Sequence, residues 1–373
     1  MGGAMSRGAL YRFGYPQGKL SSAVAVPRIY LDHAATTPVL PEACAAMAAS
    51  LHDWHNPSSP HTEGRRAKAA LEEARSRIAS ALDWGGAVIF TSGASEALAL
   101  ALGRAKGGAR FVSTVEHDAV FRAAPHAMRL PVDRNGCVQL DLVGGERPIV
   151  AVQHANNETG IQQPLAEIAS EVRAKGGMLV ADCAQTAGKL ALPDADMIAI
   201  SAHKFGGAPG VGALLVRDLG MIEAIGGQEQ GYRPGTPNVP GINAMAAALE
   251  NGAEWMKEAA ELRARLDHAL AASGAEPVGA GSDRIATIGA YRMPGVAASA
   301  QLIQFDLAGV SVSAGSACSS GSLKASHVLS AMGWDDSAAG EVVRVSFGRA
   351  TSAGEIDRFA ALWTQIAARR SAA

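Results

Sequence analysis

An α/β fold is predicted, with a large domain built on a mixed sheet and a smaller α/β domain after it. Three observations lead there. From Ile29 onward, short apolar runs alternate with alanine-rich stretches of helical periodicity, the pattern of strand–helix–strand units. Several of those apolar runs stop abruptly at polar, glycine-containing turns. A long helical stretch over residues 241–272 then separates them from a second set of strands. With 373 residues the chain has room for one or two domains. The boundaries read from this pattern are 36–253 for the large domain and 254–373 for the small one, which the N-terminal segment 1–35 joins.

The first strand of the large sheet is predicted at 88–91, where Val88-Ile89-Phe90-Thr91 runs into Ser92-Gly93. Apolar runs of the same kind place further strands at 110–114, 148–153, 178–182, 197–201 and 212–216. Apolar residues recur at helical spacing over 62–81, 95–105 and 165–175. In the small domain, strands are predicted at 285–291, 310–313 and 342–347, with a closing helix at 353–368. No internal repeat or low-complexity linker interrupts the pattern.

Composition narrows the function classes. Formal net charge is −2, from 33 Lys and Arg against 35 Asp and Glu, and no long run of like charge occurs. Neither nucleic-acid binding nor membrane-surface binding driven by charge is expected. No apolar stretch reaches the length of a membrane-spanning helix. The four cysteines, Cys44, Cys137, Cys183 and Cys318, lack the spacing of a structural zinc site or a disulfide scaffold. That fits a reducing compartment, and a cytoplasmic location is expected. Residues 1–28 carry Arg7, Arg12, Lys19 and Arg28 with no acidic residue before Asp32. A transit peptide has that bias; an extended start is the reading preferred here.

The chemistry gathers where the apolar runs end. The run Met197-Ile198-Ala199-Ile200 leads into Ser201-Ala202-His203-Lys204-Phe205-Gly206-Gly207. In open α/β sheets, ligands bind at the carboxyl ends of the strands. A lysine there can form a Schiff base with an aldehyde cofactor, and Ser201 and His203 can hold a phosphate. Taken alone, the stretch reads as a surface lysine after a strand. The run Met178-Leu179-Val180-Ala181-Asp182 changes that balance. Pyridoxal phosphate needs a carboxylate against its ring nitrogen, and Asp182 ends an apolar strand. An Asp in that position also serves as a helix N-cap. Gln185 can donate to the ring hydroxyl. Strand-Asp with strand-Ser-x-His-Lys points to a pyridoxal phosphate enzyme of the aspartate-aminotransferase-like fold (fold type I).

Other stations are weaker one by one. The turn Thr91-Ser92-Gly93-Ala94-Ser95-Glu96 offers the amides of Ala94 and Ser95 and the Ser95 hydroxyl to a phosphate. His117 can stack on a cofactor ring or move protons, and is also compatible with a satisfied, partly buried imidazole. Asn156 and Asn157 end an apolar run, where asparagines bind ligands or make turns. Cys318 lies in Gly315-Ser316-Ala317-Cys318-Ser319-Ser320-Gly321-Ser322, with only tiny or polar neighbours. An inert buried thiol and a nucleophile on a flexible exposed loop are both open. Arg344 and Arg349 flank Val345-Ser346-Phe347-Gly348, where an arginine fork can bind a substrate carboxylate or make a surface ion pair.

In this order the stations resemble the cysteine desulfurases, NifS/IscS-like branch, of the class V aminotransferase superfamily. The resemblance runs from Ile29 to about Phe359. It rests on Tyr30-Leu31-Asp32-His33-Ala34-Ala35-Thr36-Thr37-Pro38, Asn56-Pro57-Ser58-Ser59, the Thr91–Glu96 turn, Glu116-His117 and Asn156-Asn157-Glu158. It rests further on Asp182-x-x-Gln185, Ser201-x-His203-Lys204, Arg233-x-Gly235-Thr236 and Gly315-Ser316-Ala317-Cys318. The cysteine loop separates this branch from the SufS-like one and from simple class V aminotransferases.

The resemblance implies pyridoxal 5'-phosphate as cofactor and L-cysteine as substrate, with Lys204 as the Schiff-base lysine. It implies Asp182 at the ring nitrogen, Gln185 and Asn157 at the ring hydroxyl, and His117 against the ring. Ala94, Ser95, Ser201 and His203 would hold the phosphate, with Thr236 reaching the phosphate of the partner subunit in a homodimer. Arg344 and Asn157 would hold the substrate carboxylate, and Cys318 would accept sulfur as a persulfide for iron–sulfur cluster assembly or tRNA thiolation. No metal is implied. Ser95 stands where many relatives carry threonine, which keeps the hydroxyl. The chain stops short of relatives whose C-terminal extension helps dock a scaffold, so the acceptor protein is left open. A selenocysteine lyase, or another pyridoxal phosphate lyase or aminotransferase, is the neighbouring alternative. A catalytically silent scaffold is the non-enzyme one, and intact Lys204, Asp182, His117 and Cys318 speak against it.

Overall fold

The apolar runs lie edge to edge in a seven-stranded sheet, seen in a computed structural model that describes residues 28–317, 323–324 and 326–370. Strand β1 (Ile29–Tyr30) precedes the sheet, which comprises β2 (Ala87–Thr91), β3 (Arg110–Ser113), β4 (Met128–Leu130), β5 (Ile149–Gln153), β6 (Met178–Asp182), β7 (Met197–Ser201) and β8 (Gly212–Val216). Their spatial order is β2-β8-β7-β6-β5-β3-β4. Only β8 runs antiparallel to its neighbours. The other six therefore deliver their carboxyl ends to one edge.

Both faces of the sheet are covered, and the alternation of side chains along each strand explains how. Val88 and Phe90 point into one core with Leu179, Ala181, Ile198 and Ile200. Ile89 points into the other with Val180, Met197 and Ala199. Helices α1 (Pro41–His52), α2 (Thr62–Ala81), α5 (Leu165–Ala174) and α6 (Val239–Leu249) lie on the first face; α3 (Ala94–Arg104) and α4 (Asp118–Ala123) lie on the second. In α5 the buried residues are Leu165, Ile168, Ala169 and Val172, one stripe at helical spacing.

Beyond α7 (Met256–Ala271), an antiparallel sheet of order β14-β10-β9 is formed by β9 (Glu276–Pro277), β10 (Ile288–Arg292) and β14 (Val342–Ser346). It packs with α8 (Ala298–Leu307) and α11 (Ala353–Arg370) around Phe305, Phe359 and Trp363. Short helices α9 (His327–Ala331) and α10 (Asp336–Ala339) precede β14. Strand β1 crosses to this part and pairs with β11 (Val310–Ser311), while Ile29 and Leu31 enter its core. Strands β12 (Ser316–Ala317) and β13 (Leu323–Lys324) form an antiparallel pair with residues 318–322 between them.

Strand positions at 178–182, 197–201 and 212–216 and the helix at 62–81 coincide with the sequence reading. The long helix expected over 241–272 does not form as one piece. It breaks between α6 and α7, where Gly252 adopts φ +69° and Arg349 donates to the carbonyls of Asn251 and Gly252. The strand expected from 285 begins only at Ile288, because Ile285 N bonds Gly160 O at 2.8 Å instead. The strand expected over 310–313 stops at Ser311, and Ser313 pairs with Arg344. No helix among the described residues is long and apolar enough to cross a membrane.

Candidate active site

The carboxyl edge of the large sheet gathers the polar turns. Lys204 ends the short 3-10 turn Ala202–Lys204 that follows β7. Gly206, at φ +90°, lets the chain turn away directly after it, and a Cβ there would sit 2.6 Å from Leu40 Cγ. The Lys204 Nζ donates to Ala34 O at 2.6 Å and Ala35 O at 2.9 Å. Thr37 N donates to His203 O at 2.8 Å, so residues 34–37 are stitched across the lysine as a wall. Burial and the Arg344 charge pull the amine down from 10.5 to about 8, against the opposing pull of Asp182 and Asp32.

Asp182 closes β6 and is 8% exposed. Its Oδ1 accepts from Ala184 N at 2.9 Å, and no cation is hydrogen-bonded to it among the described residues. Burial raises its pKa, with His117 and Lys204 pulling the other way. His117 caps α4: its Nδ1 accepts from Ala119 N at 3.1 Å, which leaves the proton on Nε2. Burial lowers its pKa, and Asp182 opposes that. Lys204, Asp182 and His117 thus feel one another's charge, although they come from three separate turns.

Gln185 spends its amide nitrogen on Ala34 O at 3.0 Å, and its Oε1 is buried with no partner. The expected donation to a ring hydroxyl therefore inverts: the available atom of Gln185 is an acceptor, which a hydroxyl can satisfy by donating. An orphaned buried oxygen of this kind is costly unless a ligand meets it.

The phosphate turn is tightly packed. Gly93, at φ +153°, is followed by the first turn of α3, where the amides of Ala94 and Ser95 have no acceptor among the described residues. Ser201 is buried, and a Cβ on Gly93 would lie 3.4 Å from its Oγ. Ser95 is exposed. His203 Nδ1 lies 3.1 Å from Thr36 Oγ1. Burial and the Lys204 charge hold His203 down at about 4, so its imidazole is neutral. The free amides and hydroxyls, the buried carboxylate and the depressed amine together fit pyridoxal phosphate.

Arg344 is buried on β14. Its Nη2 binds Asp32 Oδ1 at 2.7 Å and its Nη1 donates to Asn157 O at 2.9 Å, while Nε is buried without a partner. The carboxylate expected at Arg344 would therefore share this fork with Asp32. Asn157 meets Arg344 through its main chain, and its side-chain amide makes no hydrogen bond among the described residues. Arg349 is drawn away to the α6–α7 break and covers Trp255 at 5.3 Å. Thr236 is exposed, beyond the ion pair of Arg233 with Glu96 at 3.0 Å. Cys318 lies outside the described residues.

Several contributors carried no role in the sequence reading. Asp32 orients Arg344, and Thr36 holds His203. Glu116 is fully buried with Oε2 unpartnered, and its pKa is pushed well up by burial and by Asp182. Lys189 is buried behind the site, pulled down to about 7 by burial and by Lys204. Asp32 and Thr36 were within reach, since their segment is polar between apolar residues. Lys189 had no signal, because a lysine after Gly188 looks like any surface turn. Among the described residues, no cluster of three or more His, Cys, Asp and Glu is placed to hold a metal.

A family model described as aminotransferase class-V matches residues 29–359. The chain is 34% identical to the cysteine desulfurase IscS 1 of Archaeoglobus fulgidus, over 88% of this chain and 94% of that one. It is 35% identical to the cysteine desulfurase IscS of Dictyoglomus turgidum, over 88% of this chain and 92% of that one. Among solved structures it resembles a NifS-like protein from Rickettsia africae, with a TM-score of 0.84 at 28% identity, covering 91% of this chain and 99% of that one.

Proposed function

Because the chain belongs to the aminotransferase class-V family and is a cysteine desulfurase, we propose that its sheet-edge site works with pyridoxal phosphate. In this reading sulfur passes from L-cysteine to Cys318. The observation that supports it most is the half-buried Lys204 amine, held on the Ala34 and Ala35 carbonyls within the field of Asp182 and His117.

Bound there, pyridoxal phosphate supplies an aldehyde for the lysine and a protonated ring that withdraws electrons. Asp182 would keep the ring nitrogen protonated, and Gln185 Oε1 and Asn157 would take the ring hydroxyl. Ala94, Ser95, Ser201 and neutral His203 would hold the phosphate. Arg344, sharing its fork with Asp32, would orient the carboxylate of L-cysteine together with Asn157. Lys204 Nζ, at about 8, is basic enough to take the α-proton and has far more neutral amine near physiological pH than an ordinary lysine. His117, with Nδ1 committed to Ala119, has Nε2 for a second proton transfer.

The sulfur step follows. The Cys318 thiolate attacks the sulfur of L-cysteine, an S–S bond forms, and the Cβ–S bond breaks with its electron pair left on Cβ. Cβ takes up a proton, L-alanine leaves, and a persulfide remains on Cys318. The persulfide sulfur then passes to an acceptor protein. We place this chemistry in a cytoplasmic homodimer in which Thr236, exposed in a single chain, reaches the phosphate of the partner subunit.

The test measures alanine and sulfide from L-cysteine with a thiol reductant, using the cofactor-loaded protein. Wild type is expected to make both. Lys204→Ala should make neither, and Cys318→Ala little of either. Equal activity in Cys318→Ala, or release of pyruvate in place of alanine, would overturn the assignment of Cys318.

A further inference from the structure

Thr236 stands on a short exposed arm, and both ends of that arm are fastened. The lower end is the turn Glu229–Gly231, where Glu229 and Gln230 take φ +50° and +57°. Residues with a Cβ keep such a backbone only where other contacts hold it. Here the buried Glu229 carboxylate takes two bonds from Arg75, at 2.8 and 3.1 Å, and a third from Phe90 N on β2 at 2.9 Å. The upper end is the buried Pro237, after which Asn238 caps α6 by accepting from Gly241 N at 3.1 Å. Thr236 itself makes no side-chain hydrogen bond among the described residues.

Between those ends, Arg233 reaches across to the phosphate turn. Its Nε donates to Glu96 Oε1 at 3.0 Å, and Glu96 Oε2 accepts from Ser92 N at 2.6 Å. Only Pro234 and Gly235 separate Arg233 from Thr236. Pro234 has a fixed φ, and Gly235, at φ +91°, is the freest joint of the arm. With Arg233 held, the arm leaves the phosphate turn in one direction. A partly exposed ion pair adds little to stability, so its consequence here is that direction.

Resting on the reading of a homodimer in which Thr236 reaches the phosphate of the partner subunit, we propose that Arg233 is a positioning residue for the cofactor of the other subunit. Clamped to Glu96, it aims Thr236 away from its own chain and into the neighbouring site. One carboxylate thereby ties the turn that holds a chain's own phosphate to the arm that serves the other chain.

The experiment compares two mixed dimers of the full chain, made by coexpression with two affinity tags. Each carries one Lys204→Ala and one Arg233→Gln, so each retains a single Lys204. With the substitutions on different chains, the retained Lys204 lies in the Arg233→Gln chain and draws Thr236 from the chain whose Arg233 is intact. With both on one chain, the retained Lys204 draws Thr236 from the altered chain. Pyridoxal phosphate is titrated into each, and cofactor fixed to Lys204 by borohydride is counted by mass spectrometry. The first arrangement should bind within twofold of a dimer carrying one Lys204→Ala alone, and the second tenfold or more weaker. Equal binding in the two, or weaker binding in the first, would overturn the proposal, because Arg233 would then act on its own chain or not at all. The same two arrangements with Thr236→Ala test the reading beneath, and no difference between them would remove the reach into the partner site itself. A difference for Thr236→Ala without one for Arg233→Gln counts against Arg233 alone.

Discussion

At the scale of single residues, partial shielding of Lys204 from solvent is what lowers its amine. An ordinary lysine would be almost wholly protonated near neutrality, and a protonated amine cannot attack an aldehyde. With the amine lowered to about 8, the rate at which the apo protein captures pyridoxal phosphate should climb about tenfold per pH unit below 8 and level off above it. Stopped-flow absorbance would read this directly, and a rate still climbing at pH 10 would contradict the lowered value. The placing of Lys204 and Asp182 at the sheet edge was legible in sequence because Asp182 closes an apolar strand and Lys204 follows one within three residues, where a charge is hard to explain by solvation. Glu116 and Lys189 were not, because what distinguishes them is tertiary burial, and neighbouring residues in the chain do not encode it.

At the scale of elements, close backbone approach shapes the phosphate turn. A Cβ on Gly212 at the start of β8 would sit 2.4 Å from Ile200 O and 2.6 Å from Gly93 Cα. Both obstacles are main chain and cannot swing aside. Gly212→Ala should therefore shift the Gly93 turn away from β7 and weaken pyridoxal phosphate binding by tenfold or more, measured by titration of the apo protein. A change under twofold would show that the turn is not held from below. Strands of the large sheet were legible because their apolar runs end at turns, and β6, β7 and β8 needed no adjustment. The α6–α7 break was missed although Asn251-Gly252 is a turn dipeptide, because alanine-rich helical sequence lies on both sides of it, and Arg349, about a hundred positions later in the chain, then holds the break. Short pieces such as β4 and α4 give too few residues for a period to register.

For the whole molecule, Lys189 couples stability to pH. Its amine is buried and lowered from 10.5 to about 7. Below about pH 7 it is charged in the folded and the unfolded chain alike, and the fold bears the full cost of burying that charge. As pH rises from 7 toward 10.5 the unfolded chain holds more protons than the folded one, so stability rises. Lys189→Met removes the charge and should stabilise the protein more at pH 6 than at pH 8.5, by roughly 2 kcal/mol. Urea unfolding at the two pH values measures the difference, and an equal effect at both would refute the lowered amine. A different consequence follows from the pairing of β1 with β11 and of Asp32 with Ser346. These contacts join residues that lie about 280 to 310 positions apart in the chain, a slow, long-range closure. The Ala34 and Ala35 carbonyls that meet Lys204 are tied to that closure through the bond of Ala34 N to Ser346 Oγ at 2.9 Å. A chain cut before Ser346 thus lacks one of the ties that hold this wall across the lysine.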